Sequence, residues 1–131
     1  MSTMAQARAG RRLKTSVDRD KALLITSSVP VEKAFHFFTD LHKPTGRFAT
    51  SIFEFADELK KVDLKSLEFH TKRNDFSKWL KDVIKDDALS SEFEKVRSLG
   101  IEGEKLRSRL VNTVDKRCQE LANALKSLAP R

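Results

Sequence analysis

The sequence predicts an α+β domain, mostly α: a short two- or three-stranded β element followed by four or five helices, the last of them long. Three observations carry this. Two short runs rich in apolar, β-branched or aromatic residues lie within residues 21–39, the composition of strands. From Ser51 onward, apolar residues recur at three- and four-residue intervals, the period of a half-buried helix. Between Leu106 and Leu128 a leucine-rich stripe keeps that spacing to the end. At 131 residues the chain can bury a core without disulfides or metal.

Taken in order, residues 1–20 contain few large apolar side chains, chiefly Leu13 and Val17. Such a segment cannot bury enough surface to fold alone and is expected to be a flexible basic arm, leaving residues 21–131 as a single helical domain. Residues 21–26 and 34–39 are expected as strands, separated by a break at Pro30. Lys43-Pro44-Thr45-Gly46 fits a type I turn, and Phe48-Ala49-Thr50 a third short strand. Ser51 and Glu54 have the spacing of a capping box, opening a helix with Ile52, Phe55, Ala56 and Leu59 inward. Asp63 caps a second helix, and Asn74 is a left-handed stop for it. Asp75 is expected to cap a third, whose stripe is Phe76, Trp79, Leu80, Val83 and Ile84. Asp86 or Asp87 caps a fourth, ended by Gly100. The last helix is expected over about 102–128, with a narrow seam of Leu106, Leu110, Val114, Cys118, Leu121, Leu125 and Leu128.

Net charge is +7, and it is segregated: residues 1–20 carry +3, residues 21–94 carry −1, and residues 95–131 carry +5. Positive charge gathered at both ends of the chain points to a polyanionic partner. The single cysteine, Cys118, cannot form an internal disulfide and gives no sign of an oxidising compartment. No apolar run approaches the ~20 residues of a membrane span. The apolar core Ala22–Ile25 is shorter than that of a signal peptide. The expectation is a cytoplasmic protein without a membrane partner.

One stretch carries a recognisable pattern. Ser66-Leu67-Glu68-Phe69-His70, then Arg73, Asp75-Phe76 and Trp79, follow an aromatic strand (34–39), the Pro44-Thr45-Gly46 turn and the Ser51–Phe55 helix start. Together these resemble an archaeal and bacterial family catalogued only as a domain of unknown function. The resemblance covers roughly residues 33–98, leaving the arm and last helix outside. Where that family often has glycine before Asp-Phe, this chain has Asn74, which tolerates the same left-handed geometry. The resemblance implies a fold and an archaeal lineage; it implies no activity.

His70, Arg73 and Asp75 are the only cluster resembling an active site, with His70 and Asp75 as a general acid–base pair. The structural alternative is that His70, Arg73 and Trp79 anchor a helix–turn–helix joint with Asp75 as its cap, and it is preferred because a motif match without geometry is more often structural than catalytic. No enzyme is therefore expected, and no cofactor. His36, His42, His70 and Cys118 have no metal-ligand spacing, and no glycine-rich phosphate loop is present. Phe35, Phe37 and Phe38 could stack on RNA bases, but core packing explains them better.

There remain the cations. Arg8, Arg11, Arg12 and Lys14 stand together with no acid among them, and Arg107, Arg109, Lys116 and Arg117 flank the seam of the last helix alongside Lys105. Such runs bind phosphate backbones by releasing counterions. The expected function is non-catalytic binding to RNA or a ribonucleoprotein such as a ribosomal particle, with duplex DNA as the variant of the same physics. The rival is a protein-interaction or oligomerisation module, in which Leu106, Leu110, Leu121 and Leu125 dock a partner helix or a second copy of the chain.

Overall fold

The computed structural model describes residues 17–126, so the arm's Arg8, Arg11, Arg12 and Lys14, and Leu128 of the seam, lie outside the described residues. Among them are six α-helices and a two-stranded antiparallel sheet, an α+β arrangement that is mostly α.

The first element corrects the sequence reading. Residues 21–26 are not a strand but part of a helix, α1 (Arg19–Thr26). Asp18 caps it by accepting the Lys21 N–H at 2.8 Å, and only Ala22 and Ile25, three residues apart, are buried. A four-residue apolar run hides that spacing, because run and stripe look alike over so short a window. Residues 17–20, assigned to the arm from sequence, therefore belong to the folded domain.

After a short turn of 3₁₀ helix at Val31–Lys33, β1 (Phe35–Asp40) pairs with β2 (Lys43–Ala49), with Phe35 opposite Ala49 and Phe38 opposite Pro44. The reversal falls at Leu41 and His42, where His42 has φ 65°. The expected type I turn at 43–46 and the third strand at 48–50 are thus one strand. Pro44 lacks the N–H a central strand needs, but a two-stranded hairpin consists of edges and tolerates it.

The remaining helices match the stripes closely. α2 (Ile52–Lys61) is capped by Ser51, and Ile52, Phe55, Ala56 and Leu59 are buried. The Glu54 carboxylate reaches back to the Thr50 N–H and hydroxyl rather than to Ser51, which holds its pKa below the ordinary value. α3 (Leu64–Arg73) ends at Asn74, whose φ of 65° is the expected left-handed stop. α4 (Asp75–Asp82) and α5 (Asp87–Ser98) follow, the latter capped by Asp86 through the Leu89 N–H at 3.1 Å. Ser77 and Ser90 exchange hydroxyl–carbonyl bonds of 3.0 and 2.9 Å where α4 meets α5, so their polar atoms are satisfied inside the interface.

α6 (Gly103–Lys126) is the pillar. Its 24 residues span about 36 Å, and α1, α2, α3 and α5 all pack on it. Leu106, Leu110, Val114 and Leu121 are buried in the chain's own core, while Cys118 and Leu125 are half-buried against it. The seam is filled from within the chain, not left free for a partner helix. The second half of the core is aromatic: Phe35, Phe37, Phe55, Phe76, Trp79 and Phe93 touch ring to ring, with centroids 4.8–6.2 Å apart, within the preferred range for edge and offset contacts.

Candidate functional site: an aromatic cleft and a basic helix face

The residues that the sequence grouped as a joint do form one. His70, in the last turn of α3, is 4 % exposed. Its Nε2 accepts the Phe38 backbone N–H at 2.8 Å, and its Nδ1 lies 2.8 Å from Asp75 Oδ2. An acceptor role at Nε2 puts the ring proton on Nδ1, so the imidazole is neutral and donates to the carboxylate. Burial pushes the His70 pKa below its ordinary value, outweighing the raising effect of Asp75. Arg73 Nε donates to the same Asp75 oxygen at 3.0 Å, and the guanidinium lies 5.2 Å from the Phe69 ring centroid. Trp79 Nε1 donates to the Lys33 carbonyl at 2.8 Å.

These bonds staple the foot of the hairpin to the α3–α4 corner. They also correct the role given to Asp75. It is the first residue of α4, not its cap, and its carboxylate turns back to His70 and Arg73. With both ring nitrogens engaged by protein groups, His70 has no lone pair free to act as a general base.

The corner is not closed on its outer side. A cleft of about 320 Å³ opens between the hairpin and α3, lined by Phe35, Phe38, Leu41 and Phe69, by His36 and His42 on the hairpin side, and by His70, Arg73 and Asp75. Asp75 Oδ2 accepts two hydrogen bonds, while Oδ1 has none among the described residues. Sequence reasoning missed this cleft. Phe38 and Phe69 are separated by a whole helix and a hairpin strand, and no local spacing links them. Of the three strand phenylalanines considered for stacking, Phe35 and Phe37 are buried and Phe38 is half-buried.

The last helix sorts its cations into two kinds. Lys105, Arg109 and Lys116 are exposed and lie within about 40° of one another around the helix axis, over about 17 Å of its length. The same face carries Asn112, Gln119 and Asn123, and Glu92 of α5 and Glu120, which pairs with Arg117, lie at its edge beside Lys116. None of the three cations has an ion-pair partner among the described residues. Arg107 and Arg117 are different. Arg107 is half-buried and donates to the Leu59 carbonyl at 2.9 Å and to Glu104 at 3.2 Å. Arg117 is buried: its Nε and Nη2 meet Asp86 at 2.8 and 2.9 Å, and its Nη1 meets Glu120 at 3.0 Å. Burial alone would lower its pKa, but the two carboxylates outweigh burial and raise it. Arg117 is therefore corrected from a phosphate-facing cation to an internal strut. Its position between Val114 and Leu121, at the spacing of the buried leucines, is the signal that places it inward.

α1 packs on α6, so the chain leading from the basic arm enters the described structure beside the last helix. Cys118 is half-buried, and burial first of all pushes its thiol up to about 11, far from the range of a reactive thiolate. Among the described residues no group of three His, Cys, Asp or Glu side chains is placed to hold a metal ion, and no helix is long and apolar enough to cross a membrane.

The fold and these surfaces define a small helical domain with a basic helix face and an aromatic cleft. The chain belongs to DUF5752, a family of unknown function whose model matches residues 32–129. The family match extends well past residue 98, so the last helix is part of the family domain and not an addition to it. Comparison with curated proteins and with solved structures gives no match.

Proposed function

We propose that this protein is a non-catalytic binding protein of the cytoplasm that associates with RNA or a ribonucleoprotein through its basic arm and one face of α6. The reading rests on the face that presents Lys105, Arg109 and Lys116 to solvent, none of them in an ion pair among the described residues. Three cations aligned over about 17 Å, with the amide of Asn112 between them and those of Gln119 and Asn123 beyond Lys116, match a phosphate backbone: the cations displace counterions and the amides donate to phosphate and sugar oxygens. The packing of α1 on α6 brings the chain that follows Arg8, Arg11, Arg12 and Lys14 to the same helix. Charges separated by most of the sequence can then act on one polyanion.

The test is binding of RNA and of duplex DNA at several salt concentrations, for the full chain and for a chain lacking residues 1–14. Each phosphate neutralised contributes ~0.7–0.9 to the slope of log affinity against log salt, so four lost cations lower the slope by about 3 when all four meet phosphates. Tighter binding of duplex DNA than of RNA would move the partner to DNA. Equal slopes for the two chains would remove the arm from the interface.

A further inference from the structure

The cleft between the hairpin and α3 has a donor and an acceptor side by side at its polar end and ring surface along its walls. Asp75 Oδ1 is the acceptor, a carboxylate oxygen without a hydrogen-bond partner among the described residues. Arg73 is the donor. Its Nε is spent on Asp75; the residue lines the cleft, its side chain is 50 % exposed, and the terminal N–H groups remain available as donors. The guanidinium and the carboxylate are in contact at 3.0 Å and His70 is neutral, so the polar end carries almost no net charge. A cationic ligand meets Arg73 and an anionic one meets Asp75. A neutral ring edge that offers an N–H next to an acceptor satisfies both.

The walls select a flat ligand. Phe38 and Phe69 are half-buried and Leu41 is 57 % exposed at the rim. Aromatic faces of this kind hold planar rings by stacking, and Arg73 is already stacked against Phe69. The volume, about 320 Å³, is at the small end of the range for small-molecule sites, enough for one or two fused rings. Arg and a carboxylate are also the side chains that read base edges, Arg by donating to ring acceptors and the carboxylate by accepting from ring or exocyclic N–H groups.

We propose that this cleft binds a nucleobase, either of a free nucleoside or of a single-stranded RNA, reading an N–H beside an acceptor with Asp75 and Arg73 while Phe38 and Phe69 hold the ring. Among the described residues the cleft is built by β1, the turn after it, α3 and α4, without α6, so it stands or falls separately from the phosphate-binding reading of α6. An uncharged nucleoside makes no counterion-dependent contact, and its binding is expected to be insensitive to salt.

The experiment titrates isotope-labelled full-length protein with inosine and follows the backbone amides by NMR. Inosine carries one N–H beside one carbonyl on its six-membered ring; 1-methylinosine keeps the ring system and loses that N–H. Inosine is expected to shift the amides of Phe38, Leu41, Phe69 and Arg73 saturably. 1-Methylinosine should bind about tenfold more weakly, because the carboxylate oxygen is left unpaired against a methyl group. Arg73→Ala should weaken inosine by a similar factor. An inosine-containing single strand that binds more tightly than inosine and shifts the same amides assigns the base to an RNA chain; equal affinity assigns it to a free nucleoside. Equal binding of inosine and 1-methylinosine overturns the proposal, as does the absence of saturable shifts at those four residues.

Discussion

Asp86 is the residue whose loss the structure makes most costly. It is fully buried, and its carboxylate serves two elements at once. Oδ1 caps α5 through the Leu89 N–H at 3.1 Å and accepts from Arg117 Nη2 at 2.9 Å; Oδ2 accepts from Arg117 Nε at 2.8 Å. Asp86→Ala removes a helix cap, worth ~1 kcal/mol, and leaves the Arg117 guanidinium buried without the carboxylate that meets its Nε and Nη2. Removing one partner of a buried pair costs ~3–5 kcal/mol. The two losses share an atom and do not add fully, so the expected destabilisation is about 4 kcal/mol. Asp86→Asn keeps an oxygen for the cap and loses the charge, and should fall between. Asp86→Ala with Arg117→Met should recover much of the loss, since replacing a buried pair by apolar groups is often near neutral. Urea unfolding followed by circular dichroism reads all four proteins. If Asp86→Ala lies within about 1 kcal/mol of the parent, or the double variant is less stable than the single one, the strut reading is wrong.

Two further predictions concern the hairpin joint. The folded-state pKa of His70 is lowered, so the unfolded chain binds the proton more readily; the His70 contribution to stability is present above pH ~6.5 and is lost as pH falls below it. The urea midpoint of the parent should drop between pH 7.5 and 5 more than that of His70→Gln, and parallel curves would contradict this. Asn74 sits at φ 65°, so Asn74→Gly should be neutral or stabilise by a few tenths of a kcal/mol; a loss above about 1 kcal/mol in the same unfolding assay would mean that the Asn74 side chain makes a contact not accounted for.

What could be read in the sequence was local. Phe76, Trp79 and Leu80, or Ile52, Phe55 and Leu59, show their burial through spacing alone, and Ser51, Asp63, Asn74 and Asp86 mark helix boundaries by chemistry that acts within three or four residues. Two kinds of information were not local. A short apolar run such as Ala22–Ile25 has no period to read, and its helical state is decided by Asp18 and by packing on α6. Side-chain partners far apart in sequence were invisible: Phe38 with His70, Arg117 with Asp86, and the walls of the cleft. For the same reason the sequence makes Asp75 look like a cap, the commonest role at that position, while the imidazole five residues earlier in the chain takes its carboxylate. The charge of the last helix was legible as an excess, but not how it divides between an outward face and an inward strut.

If the outward face of α6 meets a phosphate backbone, removing that face while keeping the fold must weaken RNA binding. Lys105→Gln, Arg109→Gln and Lys116→Gln together change three exposed side chains and leave Arg107 and Arg117 in place. Circular dichroism and the urea midpoint should be unchanged, because none of the three touches the core. RNA affinity should fall, and the slope of log affinity against log salt should decrease by ~2–3, one increment of ~0.7–0.9 for each cation. A folded triple variant that binds RNA with the parent's affinity and slope would mean that this face of α6 does not meet the phosphate backbone.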